Sequence, residues 1–152
     1  MPRWHPDPGG GRAPAGGEEG SAVLEFVFLS VLLMVPLVYF VLTLGALQGG
    51  AYAAVGAADQ AAKVFAAQRD PGTARAAAEQ AVLLAVADQG FSAGDATLEI
   101  GCGTGGCLSP GSTVTATVTL RIPLPVVASL PGIALHAGTV DATASQVVGR
   151  FR

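Results

Sequence analysis

The pattern of hydrophobic and polar positions divides the chain into four segments. Residues 1–20 are rich in proline and glycine and lack hydrophobic periodicity, which is typical of a flexible leader. Residues 22–47 are almost entirely apolar, and Glu25 is their only charged residue. Helical spacing of apolar residues then continues to residue 89, and beyond Gly90 the period changes to two. The pattern therefore predicts a leader, a long helix, a second helix and a small sheet.

The apolar segment is long enough to cross a membrane. Residues 22–44 would form about 34 Å of helix at about 1.5 Å per residue, and the hydrocarbon core of a bilayer is about 30 Å thick. Pro36 lies in mid-segment, where a membrane helix tolerates proline as a kink. We therefore predict a transmembrane helix over residues 21–48, bent near Leu32 to Pro36.

The helical pattern continues beyond this span. Apolar residues at spacings of three and four predict a packed stripe formed by Tyr52, Val55, Ala58, Ala62 and Phe65. Small residues also recur at four-residue intervals, at Gly45, Gly49 and Ala53 and at Gly50 and Ala54. Such spacing permits close approach of two helices, so it predicts a helix-packing surface. Alanine-rich filler with one packed face is the alternative.

A second helix is predicted over residues 74–89. The sequence "RDPGT" interrupts the first helix, Thr73 is the expected N-cap, and Gly90 is the expected stop. Arg75 and Glu79 are four residues apart and are expected to pair on the exposed side. The core-facing positions would be Val82, Leu83 and Val86.

Three alternating stretches after Gly90 predict strands with one buried face. The inward positions would be Leu98 and Ile100, then Val114, Ala116, Val118, Leu120 and Ile122, then Val140, Ala142, Ala144 and Val148. Residues 123–135 contain three prolines and predict a crossing segment. The fold class is therefore α+β: a long transmembrane-plus-amphipathic helix, a second helix and a small antiparallel sheet of about three strands. The predicted domains are residues 1–20, 21–48 and 49–152.

Composition and charge narrow the function. The chain is 51% hydrophobic and 12% charged, against about 25% charged in an ordinary soluble protein. Its net charge is −3 and its arginines and lysines are scattered, which argues against nucleic acid as a partner. No paired acids, zinc-protease motif, nucleophile elbow or phosphate-binding loop is present in the sequence. We expect no enzymatic activity, no small-molecule substrate, no cofactor and no metal.

Two cysteines, Cys102 and Cys107, flank a glycine-rich loop between the first two predicted strands. A disulfide there would stabilise the fold by about 2 kcal/mol in the chain-entropy model, and it would persist only in an oxidising compartment. A structural zinc site needs four ligands, and His5 and His136 are distant in sequence. A disulfide is the favoured interpretation, with free thiols and metal binding as alternatives.

Glu25 needs an explanation, because a carboxylate at the centre of a membrane helix costs roughly 2.5–3.5 kcal/mol. A capping box needs Ser and Glu three residues apart, whereas Ser21 and Glu25 are four apart. A position at the interface, with the side chain reaching water, stays open. A secretory signal ending at the "AYA" of residues 51–53 is another alternative, although its apolar run exceeds the usual 7–15 residues or so.

The residues around Glu25 resemble the class III prepilin processing motif. Gly20 is followed by the small residues Ser21 and Ala22, then by Glu25 and Phe26 and an apolar run. With its short leader, its membrane helix that continues into an amphipathic helix, and its β-rich domain, much of the chain resembles the TadE-like pseudopilins of tight-adherence (Flp) pilus systems. This resemblance implies a pilin-like fold in a bacterial cell membrane, with the N-terminus cytoplasmic and the C-terminal domain extracytoplasmic.

The resemblance also implies roles for these residues. A prepilin peptidase would cut between Gly20 and Ser21, because glycine lets the protease approach the backbone closely. Glu25 would then neutralise the new amine of a neighbouring subunit, since a buried carboxylate is tolerated when it is paired. The implied partners are the membrane, the prepilin peptidase, other pilins or pseudopilins and pilus assembly proteins. The small-residue positions would pack helix against helix during assembly.

The sequence differs from the major Flp pilins in ways that favour a minor component. Those pilins typically have tyrosine where this chain has Phe26, and they are much shorter and lack a β domain. The leader is also not net positive, because Glu18 and Glu19 precede Gly20. We therefore expect a minor, TadE-like structural component of pilus biogenesis. The alternative from another class is an extracytoplasmic binding domain, either secreted after Ala53 or held by an uncut signal anchor.

Overall fold

The computed structural model describes residues 1–3, 19–125 and 135–150. Its elements are α1 (Glu19–Ala67), α2 (Pro71–Asp88), a short 3-10 turn (Ala93–Asp95), β1 (Ala96–Cys102), β2 (Thr113–Pro123) and β3 (His136–Val147). This order confirms the predicted α+β class. Residues 4–18 of the predicted leader and residues 126–134 of the predicted crossing segment lie outside the described residues.

The chain divides into two compact units, Met1–Val38 and Tyr39–Arg152. The described part of the first unit is dominated by the N-terminal half of α1, whose large apolar side chains from Val23 to Val38 are about half exposed or more. α1 is long and apolar enough to cross a membrane, as predicted, and Pro36 lies inside it. An apolar surface this extensive is costly in water, so it needs lipid or another protein chain around it.

The second unit contains a three-stranded antiparallel sheet in the order β1-β2-β3. Val118 of β2 lies between Leu98 of β1 and Ala142 of β3, so residues of all three strands share the inner face. The five inward positions predicted for β2 are all fully buried. The predicted inward residues of β1 and β3 are buried or packed against the core. The period-two prediction is confirmed because the sheet buries one face only.

Within this unit α1 contributes mainly alanines to the core. They are Ala53, Ala54, Ala57, Ala58, Ala61 and Ala62, joined by Phe65. The predicted stripe is wrong at Tyr52 and Val55, which are 79% and 59% exposed. Alanine has no side chain beyond Cβ, so an alanine face lets the helix pack closely in the core, and the larger residues lie on the other side.

α2 begins one turn earlier than predicted. Its N-cap is Asp70, with Pro71 at the first helical position, so the prediction of Thr73 as the cap is wrong. The Asp70 carboxylate accepts a hydrogen bond of 2.9 Å from the backbone N–H of Thr73, which satisfies one of the free donors at the start of the helix.

The rest of α2 follows the predicted pattern with one exception. Val82 and Val86 are buried, but Leu83 is 40% exposed, so that prediction is wrong. Arg75 and Glu79 form the predicted pair at 3.1 Å on the exposed side. Gly90 follows the helix with φ +82°, a conformation that glycine adopts without strain.

Candidate functional site

The residues of the predicted processing motif lie in the first two turns of α1. The helix begins at Glu19, so the bond between Gly20 and Ser21 is in helical backbone. Ser21, Glu25 and Phe26 are all exposed. Ser21 and Glu25 are separated by four residues, so they lie on the same face of the helix, about 6 Å apart along its axis.

Glu25 is surrounded by apolar positions. Its neighbours one turn away on the helix include Ala22, Phe28 and Leu29. Within the described part of the chain, no hydrogen bond or ion pair satisfies its carboxylate. A carboxylate on an apolar helix needs water or a cation from outside this chain segment, because an uncompensated charge in lipid is costly.

The predicted helix-packing residues differ in burial and in the space around them. Gly45 is exposed and Gly49 half-buried, and a Cβ placed on either would meet no atom within 4 Å. Ala53 is buried in the core of its own unit. Gly45 and Gly49 therefore leave an open strip on α1, whereas Ala53 already packs within the chain.

Gly50 is important for the fold of its own unit, although the sequence pattern did not predict its role. A Cβ at Gly50 would overlap Ile122 Cδ1 and lie 3.1 Å from Ile122 Cγ1 and 3.4 Å from Phe91 Cζ. Any larger residue at this position would have to displace the buried Ile122 side chain. The available signal was the pair Gly50 and Ala54, but spacing alone did not distinguish it from Gly45 and Gly49.

Cys102 and Cys107 form a disulfide, with their Cα atoms 4.8 Å apart. The closed loop follows β1, and Gly105 and Gly106 within it have positive φ. The N–H of Gly103 donates to the Thr113 carbonyl at 3.0 Å, which ties the start of the loop to β2. The loop lies at the end of the sheet opposite Ile122, because Cys102 pairs with Val114.

A surface groove of about 460 Å³ runs between α1 and α2. It is lined by Tyr52, Ala53, Gly56, Asp59, Gln60, Ala81, Leu84, Ala85, Asp88 and Gln89. Asp59 is bound to Lys63 at 2.6 Å, a helix ion pair between exposed side chains.

Over the described ranges, no three His, Cys, Asp or Glu side chains are grouped so that they could hold a metal ion. His136 lies at the start of β3, with its Nε2 3.8 Å from Asp95 Oδ1.

Comparisons of the chain with protein-family models, with curated proteins and with solved structures found no match.

Proposed function

We propose that this chain is a minor, TadE-like pseudopilin that acts as a structural component of tight-adherence pilus biogenesis. Its α1 helix anchors it in the bacterial cell membrane as a single pass, with the N-terminus in the cytoplasm and the α+β domain outside. A prepilin peptidase removes the leader between Gly20 and Ser21. The observation that carries the proposal is Gly20, Ser21 and Glu25 in the first turns of a helix whose next residues are apolar and exposed.

The position of Glu25 supports an assembly role. Alone in lipid its carboxylate would cost roughly 2.5–3.5 kcal/mol at the bilayer centre, and among the described residues it has no partner. Cleavage after Gly20 creates an ammonium group on Ser21, one helical turn from Glu25. A neighbouring subunit displaced by about 6 Å along the helix axis brings its amine level with this carboxylate. The pair forms only between processed subunits, so it couples processing to assembly.

The open strip at Gly45 and Gly49 supports the same role. A Cβ atom placed on either glycine would meet no atom of another part of the chain within 4 Å. Helices in lipid associate through close packing at small residues. A second helix in the same membrane can therefore approach α1 here without displacing any contact of its own domain.

The core of the second unit argues against release of a secreted domain after Ala53. Residues 51–53 lie inside α1, and Ala53 and Ala54 are both buried. A cut there would remove Gly50 from its contact with Ile122 and Leu47 from the core. The released domain would begin within its own packed helix, so this alternative requires the loss of core packing.

A pair of glycine variants tests the proposal in cells. Gly20→Ala should block leader removal and abolish the pilus function of the protein, while the matched change Gly17→Ala should leave both intact. Glu25→Gln should still be processed but should fail to assemble, because a neutral amide cannot neutralise an ammonium group. Normal processing and piliation in the Gly20→Ala strain would refute the peptidase step.

A further inference from the structure

One end of the second unit carries a group of uncharged side chains and lies beside residues 47–50 of α1. Arg121 and the pair of His136 and Asp95 flank this group. Two contacts define its position within the unit. Gly50 packs against Ile122 near the end of β2, and a Cβ on Gly138 near the start of β3 would lie 3.7 Å from Leu47 Cδ2. The end of the sheet where β2 finishes and β3 begins is therefore level with residues 47–50 of α1.

The apolar exposed part of α1 ends one to two turns before this level. In the same unit Phe40, Val41, Leu42 and Leu44 are all exposed. Leu44 precedes Gly50 by six residues, which is about 9 Å along the helix. If α1 crosses a bilayer up to Leu44, residues 47–50 and the end of the sheet beside them lie about 5–9 Å beyond the hydrocarbon core. This range overlaps the outer part of the interfacial layer, since headgroup regions add about 5–8 Å to each side of that core.

The side chains at this end of the sheet are of the kind expected at the membrane interface. Beyond the last pair of the β2–β3 ladder, the N–H of Leu124 donates to the carbonyl of Leu135 at 3.1 Å. Leu135 is 52% exposed, and Pro123, Leu124 and Pro125 are half-buried. Of the described residues at this end, 122–125 and 135 are uncharged, and exposed Arg121 and His136 flank them. The opposite end of the sheet instead leads to the disulfide loop and to Arg150.

We propose that this end of the domain, formed by Pro123, Leu124, Pro125 and Leu135, rests on the bilayer that α1 crosses, as a second membrane contact. The occupant is the lipid interface, because the same unit brings a membrane-spanning helix and this apolar surface to one level. The contact restrains the domain from tilting about α1 and orients its disulfide loop away from the membrane. The inference rests on the proposed membrane span of α1.

Tryptophan fluorescence in vesicles tests the contact on the full chain. Trp4 is the only tryptophan, so a Trp4→Phe background allows one probe at a time. The test variant is Leu135→Trp, and the matched control is Val147→Trp, which is 64% exposed at the other end of β3. Twelve residues separate the two positions, about 40 Å of strand. Leu42→Trp reports the membrane span itself.

The proteins are reconstituted into vesicles of phosphatidylcholine and phosphatidylglycerol, with phosphatidylcholine brominated near the headgroup end of its acyl chains as quencher. We expect Leu42→Trp and Leu135→Trp to lose emission to the brominated lipid, and Val147→Trp to keep it. Acrylamide, a water-soluble quencher, should quench Val147→Trp strongly and should quench Leu42→Trp and Leu135→Trp weakly. Since all three positions are exposed, the substitutions leave the core unchanged.

Quenching of Leu42→Trp together with equal, weak quenching of Leu135→Trp and Val147→Trp would overturn the second contact while leaving the membrane span intact. Failure of the lipid to quench Leu42→Trp would contradict the span, and with it the premise of this inference.

Discussion

Gly50 of α1 lies so close to Ile122 of β2 that no larger residue fits without displacing the isoleucine. The contact fixes where the long helix meets the sheet, at the level where the apolar segment of α1 ends. It also makes the helix part of the domain core, so the apolar segment that is long enough to cross a membrane and the helical part of the core belong to one continuous helix.

Gly50→Ala should destabilise the second unit by about 1–3 kcal/mol, because overpacking forces neighbouring side chains from their preferred conformations. Gly56→Ala is the matched control: Gly56 is exposed on the same helix with no atom within 4 Å of its Cβ position. That change should be neutral or stabilise by up to about 1 kcal/mol, since alanine is the better helix former. Denaturation of the full chain in detergent, followed by near-ultraviolet circular dichroism, measures both.

A compensating change sharpens this test. Ile122→Val removes the Cδ1 atom that the new methyl group would overlap, so it should restore part of the stability lost in Gly50→Ala. Equal stability of Gly50→Ala and Gly56→Ala would show that the close approach of α1 to β2 is not present in solution.

The Asp70 cap should make stability depend on pH. The pKa of its carboxyl is lowered from 3.8, chiefly by the hydrogen bond from the backbone N–H of Thr73, then by the Thr73 hydroxyl. Because the folded-state pKa is depressed, the charged cap contributes its stability above the unfolded-state value, and this is lost as pH falls through the folded-state pKa. Asp70→Asn should therefore melt below wild type at neutral pH, with the difference shrinking below about pH 4.

Asp88→Asn provides the control for charge alone. Asp88 is the last residue of α2 and is exposed. A negative charge at the C-terminal end of a helix is unfavourable, so its removal should not lower the melting temperature. If Asp70→Asn and wild type differ by the same amount at pH 7 and at pH 2, the capping carboxylate does not carry the effect.

Removal of the disulfide should lower stability modestly and leave the sheet in place. For a loop of residues 102–107, the chain-entropy model gives about 2 kcal/mol, while the β1–β2 ladder from Ala96 to Cys102 does not need the bond to form. Wild type with reductant should therefore unfold at the same denaturant concentration as the Cys102→Ser/Cys107→Ser variant. Alkylation of free thiols in protein taken from native membranes without reductant would contradict the disulfide.

The sheet was predictable because its physics is local and periodic. In β2 every second residue is apolar. Because only one face of the sheet is buried, the apolar residues are the ones whose side chains point to that face. The outer face holds paired hydroxyls, such as Thr117 Oγ1 and Thr143 Oγ1 at 3.2 Å. Neither strand could reverse its faces without burying these polar groups.

The helices were less predictable because the largest apolar side chains of the pattern are not always the buried ones. Tyr52 and Val55 are larger apolar residues, yet the packed face of α1 consists mainly of alanines, which are common throughout this segment, together with Phe65. Which small residues face the sheet depends on how closely the helix approaches, and spacing in one chain does not encode that distance. The cap of α2 was misplaced for a different reason: Asp70 and Thr73 are both capping residues, and Pro71 at the first helical position was the signal that favoured Asp70.

The candidate processing site was visible only as a sequence motif. Its residues lie on one helix, on which Ser21, Glu25 and Phe26 are exposed, and no distant residue among the described ones contacts Glu25 by a hydrogen bond or an ion pair. The partner that would explain Glu25 belongs to another molecule, and one chain cannot supply it.

The N-terminal residue of the protein isolated from native membranes tests the central proposal most directly. Edman sequencing or mass spectrometry of the intact chain should find Ser21 at the N-terminus, with the disulfide-bonded domain still attached to its membrane helix. A chain that begins at Met1 or Pro2 would contradict processing and support an uncut anchor, and one that begins at Ala54 would support a secreted domain.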